Sequence, residues 1–587
     1  MPHSPSSLYP VTPTELRTRW ELVEESLRTT INNSDQLQAA VLHYNSKYSD
    51  RWDFHLMHSF FSQALEEEET EYFFKIVLPK IIKLALSLPK VVTGGVPLLR
   101  QHHTHSISLS QYQVSCLLAN AFLCTFPRRN TTKNNSEYSS FPYINFNRLF
   151  NGDFAKDARI PCLHEKLKCL INYFRRVTSK VPDGVVTFSR HHVSSGELPE
   201  WSSLSVKLPN LYISSEGTIE DQGYGMLQMD FANKMVGGGV LGRGCVQEEI
   251  RFAICPELIL ARLFAEVLTD TEALIINGCE RFSMYKGYSD NFEWAGNFED
   301  QTPRDSFGRR YCTVVAVDAT RFPNPKVQYS ANNINRELNK AYAGFSWGMK
   351  SDGHEAVATG NWGCGAFNGD ACLKSLLQLM AAGVAGRDVA YFTFSNKELR
   401  DQVANMHNFL TQHQITVGCL WKILTCYSPL QHRHSLYGHI YKTVSGDPIP
   451  SSLNCKPHFT PNKPRLKDKS KDIQIEKPAK SSNEQKLSID EIEQELENVK
   501  DSIQEENEQG VKPLEAKTLN VHNDKELCLK RLSSSWNNLN ESKKDFGPSD
   551  HSRTSELKND TRQVTDSSKS ITKKKKISDY FQPASKS

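Results

Sequence analysis

The stretch Met226-Leu-Gln-Met-Asp230-Phe-Ala-Asn233-Lys-Met-Val-Gly237-Gly238-Gly239-Val-Leu-Gly-Arg-Gly-Cys-Val-Gln247-Glu248-Glu249-Ile-Arg-Phe252 reads as a short strand, a glycine-rich loop and the start of a helix. Glycines let backbone N–H groups approach an anion closely, and a following helix adds the positive end of its dipole. A second segment repeats the pattern: Val357-Ala-Thr359 reads as a strand. It runs into Gly360-Asn361-Trp362-Gly363-Cys364-Gly365-Ala366-Phe367, with a helix from about Asp370. Two such loops suit a diphosphate held between them. Neither carries the terminal Lys-Ser/Thr of a phosphate loop or a clean dinucleotide fingerprint, which weakens ATP hydrolysis and hydride transfer as readings.

Working outward, β-branched or aromatic runs recur at Val185–Phe188, Leu274–Asn277, Val314–Val317 and Val389–Phe394, with helix-like stretches at Pro256–Leu268 and Ala371–Ala382. Strands alternating with helices over more than 150 residues predict an α/β sheet with covered faces. In such sheets ligands bind outside the carboxyl ends of the strands, where both glycine loops fall. Upstream, from about residue 14 to 175, apolar spacing is helical. Leu37, Val41 and Tyr44 share a face, with Ser34 placed as cap. Ser110-Gln-Tyr-Gln113 is a capping-box pattern opening onto Leu117, Leu118, Ala121 and Phe122. Glu66–Glu69 reads as a solvated helix face. His102, His103 and His105 lack an acidic or Cys neighbour at ligand spacing, so no metal site is expected.

The chain has 587 residues with 70 Lys+Arg and 67 Asp+Glu, a formal charge of +3, so a bulk nucleic-acid binder with a broad basic face is disfavoured. Residues 455–587 carry 26 Lys+Arg against 23 Asp+Glu, so the whole excess lies there and the body is balanced. That tail is rich in Ser, Asn, Lys and Glu and poor in aromatics, which predicts disorder. Within it Leu487–Val499 has helical spacing, either as a transient solvated helix or as a partner-binding one. The apolar stretches Phe73–Leu88 and Leu376–Val384 are too short or too interrupted to span a membrane. MPHSPSSLYP lacks a basic-then-apolar pattern, so no secretory signal is expected. Fourteen cysteines without a Cys-x-x-Cys pair suggest reduced thiols, in nucleus or cytoplasm. The expected organisation is an unstructured 1–14, a helical domain at 15–180, an α/β domain at 181–450 and a disordered tail at 451–587.

Carboxylates beside a phosphate cradle need a reason, because anions repel a polyanionic ligand. Glu248 and Glu249 fit there if one is protonated or if they bind hydroxyls. Glycosidic cleavage uses such an acid to protonate the departing oxygen as an oxocarbenium-like centre develops. Adjacent helical residues point about 100° apart, so the two cannot be equivalent. The spacing equally allows a simple capped helix start with acids near its N-terminus.

Gly237-Gly238-Gly239, seven residues, then Gln247-Glu248-Glu249 resembles the signature of poly(ADP-ribose) glycohydrolases. Further blocks resemble the same family in the same order: Thr218-Ile219-Glu220, Leu227–Asn233, Tyr285-Lys-Gly-Tyr288, Arg336–Tyr342 and Ala358–Phe367. In the helical half Leu117–Phe122 and Tyr143–Phe150 do so as well. The resemblance implies a macrodomain-like mixed sheet flanked by helices, preceded by a helical accessory domain. It implies hydrolysis of ribose–ribose O-glycosidic bonds in poly(ADP-ribose), releasing ADP-ribose. A non-catalytic ADP-ribose reader is the alternative.

By the same resemblance Glu249 is the acid/base, Glu248 holds ribose hydroxyls and Asp230 is a third carboxylate of the catalytic site. Asn233 and Gln247 are ligand contacts, Ile219 and Glu220 lie on the adenine side, and Tyr288 closes over the substrate. Asn361, Trp362, Gly363, Cys364, Gly365 and Ala366 cradle the diphosphate, with Phe367 and Phe394 lining the pocket. No metal or organic cofactor is implied.

The family's animal members often carry a long disordered N-terminal region, whereas here the polar excess is C-terminal. In that tail Lys573–Lys576 reads as a nuclear import signal or a solvated basic end. Lys574-x-x-Ile577-x-x-Tyr580-Phe581 resembles a sliding-clamp-binding box with Lys574 in place of Gln. One helical turn there would gather Ile577, Tyr580 and Phe581 as apolar anchors. No sequence-specific nucleic-acid binding is expected.

Overall fold

The computed structural model describes residues 1–12, 15–127, 138–152, 159–349, 354–429 and 434–446, all within one compact unit. The predicted helix at Leu487–Val499, the basic run and the Ile577, Tyr580 and Phe581 motif lie outside the described residues.

The centre is an eight-stranded mixed sheet. Its strands in chain order are β1 (His105–Ser110), β2 (Val185–His192), β3 (Leu211–Ser214), β4 (Leu227–Ala232), β5 (Glu272–Gly278), β6 (Arg310–Asp318), β7 (Val357–Gly360) and β8 (Val389–Phe392). Across the sheet they run β1-β2-β5-β6-β4-β7-β8-β3. The five from β6 to β3 are parallel, and β1, β2 and β5 join by antiparallel pairing. The central strands are apolar on both sides, as parallel strands with covered faces must be. Their period-two alternation divides the core. Leu274, Ile276, Val314 and Ala316 pack with the N-terminal helices, whereas Ala273, Ile275, Val315 and Val317 pack with C-terminal ones.

The layer on the first face contains α1 (Gln111–Phe122) and α2 (Ile160–Ser179), joined by α3 (Gln247–Ile254). On the other face lie α4 (Ala331–Phe345) and α5 (Ala371–Val384). The Ser110 capping box forms as its spacing predicts, with Ser110 accepting from the Gln113 amide and Gln113 from the Ser110 amide. The helical half also contributes a strand. β1 pairs along β2, so helices and sheet share one apolar core rather than meeting at a seam.

Three local expectations are corrected. Asn33, not Ser34, caps the Ser34–His43 helix, because Asn33 holds the extended conformation and accepts from the Gln36 amide at 2.9 Å. The N-terminal residues are not unstructured: Leu8–Thr12 pairs antiparallel with Glu15–Thr18, and Tyr9 lies over the buried Arg19 guanidinium at 5.0 Å. Pro256–Leu268 does not form one helix but a 3-10 turn at Pro256–Leu260 and a single turn at Ala261–Phe264. Among the described residues no helix is long and apolar enough to cross a membrane.

Candidate active site

Strands β4 and β7 are neighbours, yet they pair only at Leu227–Val357 and Gln228–Ala358 before diverging. The split opens a cleft at their carboxyl ends, and each strand delivers one of the glycine-rich loops to its edge. Beyond the split, the Gln247 side chain completes β4: its Oε1 accepts from the Phe231 amide at 2.8 Å and its Nε2 donates to the Met229 carbonyl at 3.2 Å. Gln247 thereby docks the start of α3 against the strand that carries Asp230. These two bonds use one of its amide hydrogens and give Gln247 a positioning role at the site.

The two glutamates of α3 are held by backbone amides. Glu248 accepts from Asn233 at 2.8 Å and from Gly237 at 2.6 Å. Glu249 accepts from Gly239 at 2.8 Å and, as the capping residue of its own helix, from Val246 at 3.0 Å. The Gly238 amide closes a turn onto Met235. All three N–H groups are engaged within the protein, those of Gly237 and Gly239 by its own carboxylates and that of Gly238 by a carbonyl. The glycines are required by proximity. A Cβ on Gly238, whose φ is +42°, would lie 2.5 Å from Glu248 Oε2 and 2.6 Å from Glu249 Oε1. A Cβ on Gly244 would lie 2.5 Å from Glu249 Oε1.

Asp230 is buried, and neither of its carboxyl oxygens has a hydrogen-bond donor among the described residues. Burial, then the neighbouring Glu249 charge, pushes its carboxyl well above the usual carboxylate range. Glu248 is pushed up as well, by burial and then by the Asp230 and Glu249 charges, against the pull of its two amide donors. Three acids thus share one small volume, two with amide donors and one without.

Two cations from distant sequence stabilise this loop. Lys166 of α2 is fully buried, and its ammonium donates to the carbonyls of Val240 (3.1 Å), Gly242 (2.8 Å) and Gly244. Burial pulls its pKa down. Arg262 donates to the carbonyls of Gly238 (2.9 Å), Val236 (3.2 Å) and Tyr143 (2.7 Å). Burial lowers it to about 10, although the Glu248 charge counters. Neither residue carries a local pattern that marks it, because each meets the loop only through packing of the helical half.

The second loop keeps its donors. The amides of Gly363, Gly365, Ala366 and Phe367 donate to no protein group among the described residues, which suits an incoming anion. Asn361 is fixed by donating to the Thr393 carbonyl at 3.2 Å and accepting from the Tyr391 hydroxyl at 3.1 Å. Cys364 turns back onto the Trp362 carbonyl at 3.5 Å. Trp362 anchors the loop through its side chain. Its indole is buried in the core, donates to the Val317 carbonyl at 2.9 Å and lies 4.0 Å under the Lys374 ammonium. Phe367 is half-buried against the same core.

Above the cleft, Tyr288 and Phe394 meet with ring centroids 4.9 Å apart. Phe394 is 61% exposed and holds a φ of +53°, uncommon for a bulky residue. Burial pushes the Tyr288 phenol up to about 12, against a hydrogen bond with the Gln247 backbone, which sets its ring beside Glu249. Farther along, Ile219 packs with Ala358 and Phe392, and Glu220 accepts from the Tyr285 hydroxyl at 2.5 Å. Among the described residues no group of three or more His, Cys, Asp or Glu is arranged to hold a metal ion.

A split parallel sheet with acids clamped at the cleft and a donor-rich loop opposite defines a macrodomain-type site equipped for hydrolysis. Residues 198–401 match the family described as "Poly (ADP-ribose) glycohydrolase (PARG), Macro domain fold", and residues 65–190 its "helical domain". "Poly(ADP-ribose) glycohydrolase 1" of Arabidopsis thaliana is 33% identical over 451 residues, 63% of this chain and 80% of that protein. The "Probable poly(ADP-ribose) glycohydrolase 2" of the same plant is 34% identical over 433 residues, covering 63% and 81%. "Poly(ADP-ribose) glycohydrolase 1" of Caenorhabditis elegans is 38% identical over 284 residues, covering 46% and 36%. The chain belongs to the poly(ADP-ribose) glycohydrolase family and is a glycohydrolase enzyme.

Proposed function

We propose that the enzyme hydrolyses the ribose–ribose O-glycosidic bonds of poly(ADP-ribose), with Glu249 as general acid/base. The observation that carries this reading is the clamping of Glu249 between the Gly239 and Val246 amides beside Tyr288, at the cleft edge opposite the loop with unengaged donors. Glu249 gives its proton to the departing ribose oxygen as positive charge develops at the anomeric carbon, then takes a proton from the attacking water. Glu248, held by two amides, orients ribose hydroxyls. Asp230 in its neutral form offers a hydroxyl donor that adds no negative charge next to the diphosphate. The Gly363–Phe367 amides receive the diphosphate oxygens, and Tyr288 with Phe394 covers the sugar and base.

The test is incubation of purified protein with labelled polymer and identification of the products, alongside the Glu249→Gln variant. Free ADP-ribose is the expected product. The variant should lose about 100-fold or more in turnover and retain ADP-ribose binding. Native-rate shortening of polymer by the variant would overturn the assignment of the acid. Binding without any hydrolysis by the unmodified protein would favour a reader.

A further inference from the structure

Behind the acid-bearing helix lies a second cavity of about 540 Å³, lined in part by Arg251, Cys255, Cys312, Glu220 and Tyr311. Gln228 also lines it. Two thiols line it, Cys255 at the end of α3 and Cys312 within β6, and a third, Cys279 just after β5, lies next to Cys312. The sulfurs of Cys279 and Cys312 are 3.7 Å apart, brought together where the β5–β6 pairing slips between Arg310 and Thr313. Arg251, two residues after Glu249, donates from Nη2 to Cys312 Sγ at 3.3 Å and to Gln228 Oε1 at 2.6 Å. Cys279 and Cys255 are buried, whereas Cys312 is partly exposed to the cavity.

We propose that Cys312 and Cys279 form an oxidant-sensitive thiol pair, in which hydrogen peroxide oxidises Cys312 and Cys279 then closes a disulfide with it. A thiolate is the reactive form of cysteine, and a guanidinium beside a partly accessible thiol favours it. The hydrogen bond from Cys279, followed by the Arg251 charge, brings Cys312 down to about 7 in spite of burial. In the first step the Cys312 sulfur attacks one peroxide oxygen, the O–O bond breaks, and hydroxide leaves to be protonated to water. In the second step the Cys279 sulfur displaces the sulfenic oxygen: the S–S bond forms, the S–O bond breaks and a second water departs. Two thiols are oxidised and one peroxide is reduced to two waters. To form the bond the sulfurs close from 3.7 Å to about 2.05 Å.

The experiment treats the reduced full-length chain with hydrogen peroxide, quenches with N-ethylmaleimide and maps peptides by mass spectrometry before and after dithiothreitol. The expected result is a Cys279–Cys312 cross-linked peptide lacking two hydrogens, reversible by dithiothreitol. It should form about tenfold faster than oxidation of the exposed Cys419 and Cys426. In Cys279→Ser the same treatment should leave a sulfenic acid on Cys312 that dimedone captures, and in Cys312→Ser Cys279 should stay alkylatable. Cys312 that remains fully alkylatable while Cys419 and Cys426 oxidise would overturn the proposal. So would Cys279 oxidation persisting in Cys312→Ser. Peptide mapping of the unmodified protein decides the matter even if a variant folds poorly.

Discussion

The Gly239 amide donates to Oε1 of Glu249 at 2.8 Å, so the glycine triplet binds the enzyme's own acid before it meets any substrate. Its neighbours Gly238 and Gly244 approach the same carboxylate too closely to carry a side chain. A flexible glutamate costs rotamer entropy to orient. Here that cost is met in folding, and the carboxylate is held in place.

Gly238→Ala places a methyl against both glutamates and forces alanine into a left-handed conformation. Turnover should fall by about 100-fold, in line with small misplacements of reacting groups. Circular dichroism should show an intact fold. Near-native kinetics in this variant would mean that the carboxylates do not need the observed clamp.

Lys166→Met removes the donor shared by the carbonyls of Val240, Gly242 and Gly244, of which Val240 is buried and the other two partly buried. Urea unfolding should register a loss of about 2–4 kcal/mol. The loss of kcat should exceed that of other helical-half substitutions of equal destabilisation, because this one loosens the loop that positions Glu249.

Asp230 gives a pH signature. Its native pKa is raised by burial and the Glu249 charge, so between the unfolded value of about 3.9 and the raised native value the native state binds the extra proton. Stability then falls as pH rises through that window. Glu248 has a raised native value and adds a decline of the same sign. Asp230→Asn removes the Asp230 contribution, so its melting temperature relative to the unmodified protein should climb steadily from pH 5 to pH 8. A difference that is flat with pH would contradict a neutral Asp230.

Phe394→Ala removes an exposed ring and leaves a Cβ-bearing residue in the same left-handed backbone, so the melting temperature should change little. Its contact with Tyr288 is lost, and KM for polymer should rise about tenfold, the equivalent of one aromatic contact of about 1–1.5 kcal/mol. A change confined to kcat would move Phe394 from substrate cover to the chemical step.

Local pattern alone was enough to locate the strands Val314–Val317 and Leu274–Asn277, the Ser110 cap, both glycine loops at strand ends and the Gln247-Glu248-Glu249 helix start. Each depends on a period of two or 3.6 or on a few adjacent residues, and such signals survive without tertiary context. What those loops hold was not legible there. A glycine triplet looks the same whether its amides face a diphosphate or a glutamate, and only packing of α3 against β4 assigns them to Glu248 and Glu249. Likewise the Trp362 indole turns into the core, and Asn33 takes the capping place of Ser34. Lys166 and Arg262 reach the loop from 73 and 24 residues away. Such pairings join groups distant in sequence that close packing makes neighbours, and the cost of burying an unpaired charge or carbonyl enforces them. The order of elements and the acid pair were therefore determined by sequence pattern, whereas the clamp that holds the acids was decided by the tertiary fold.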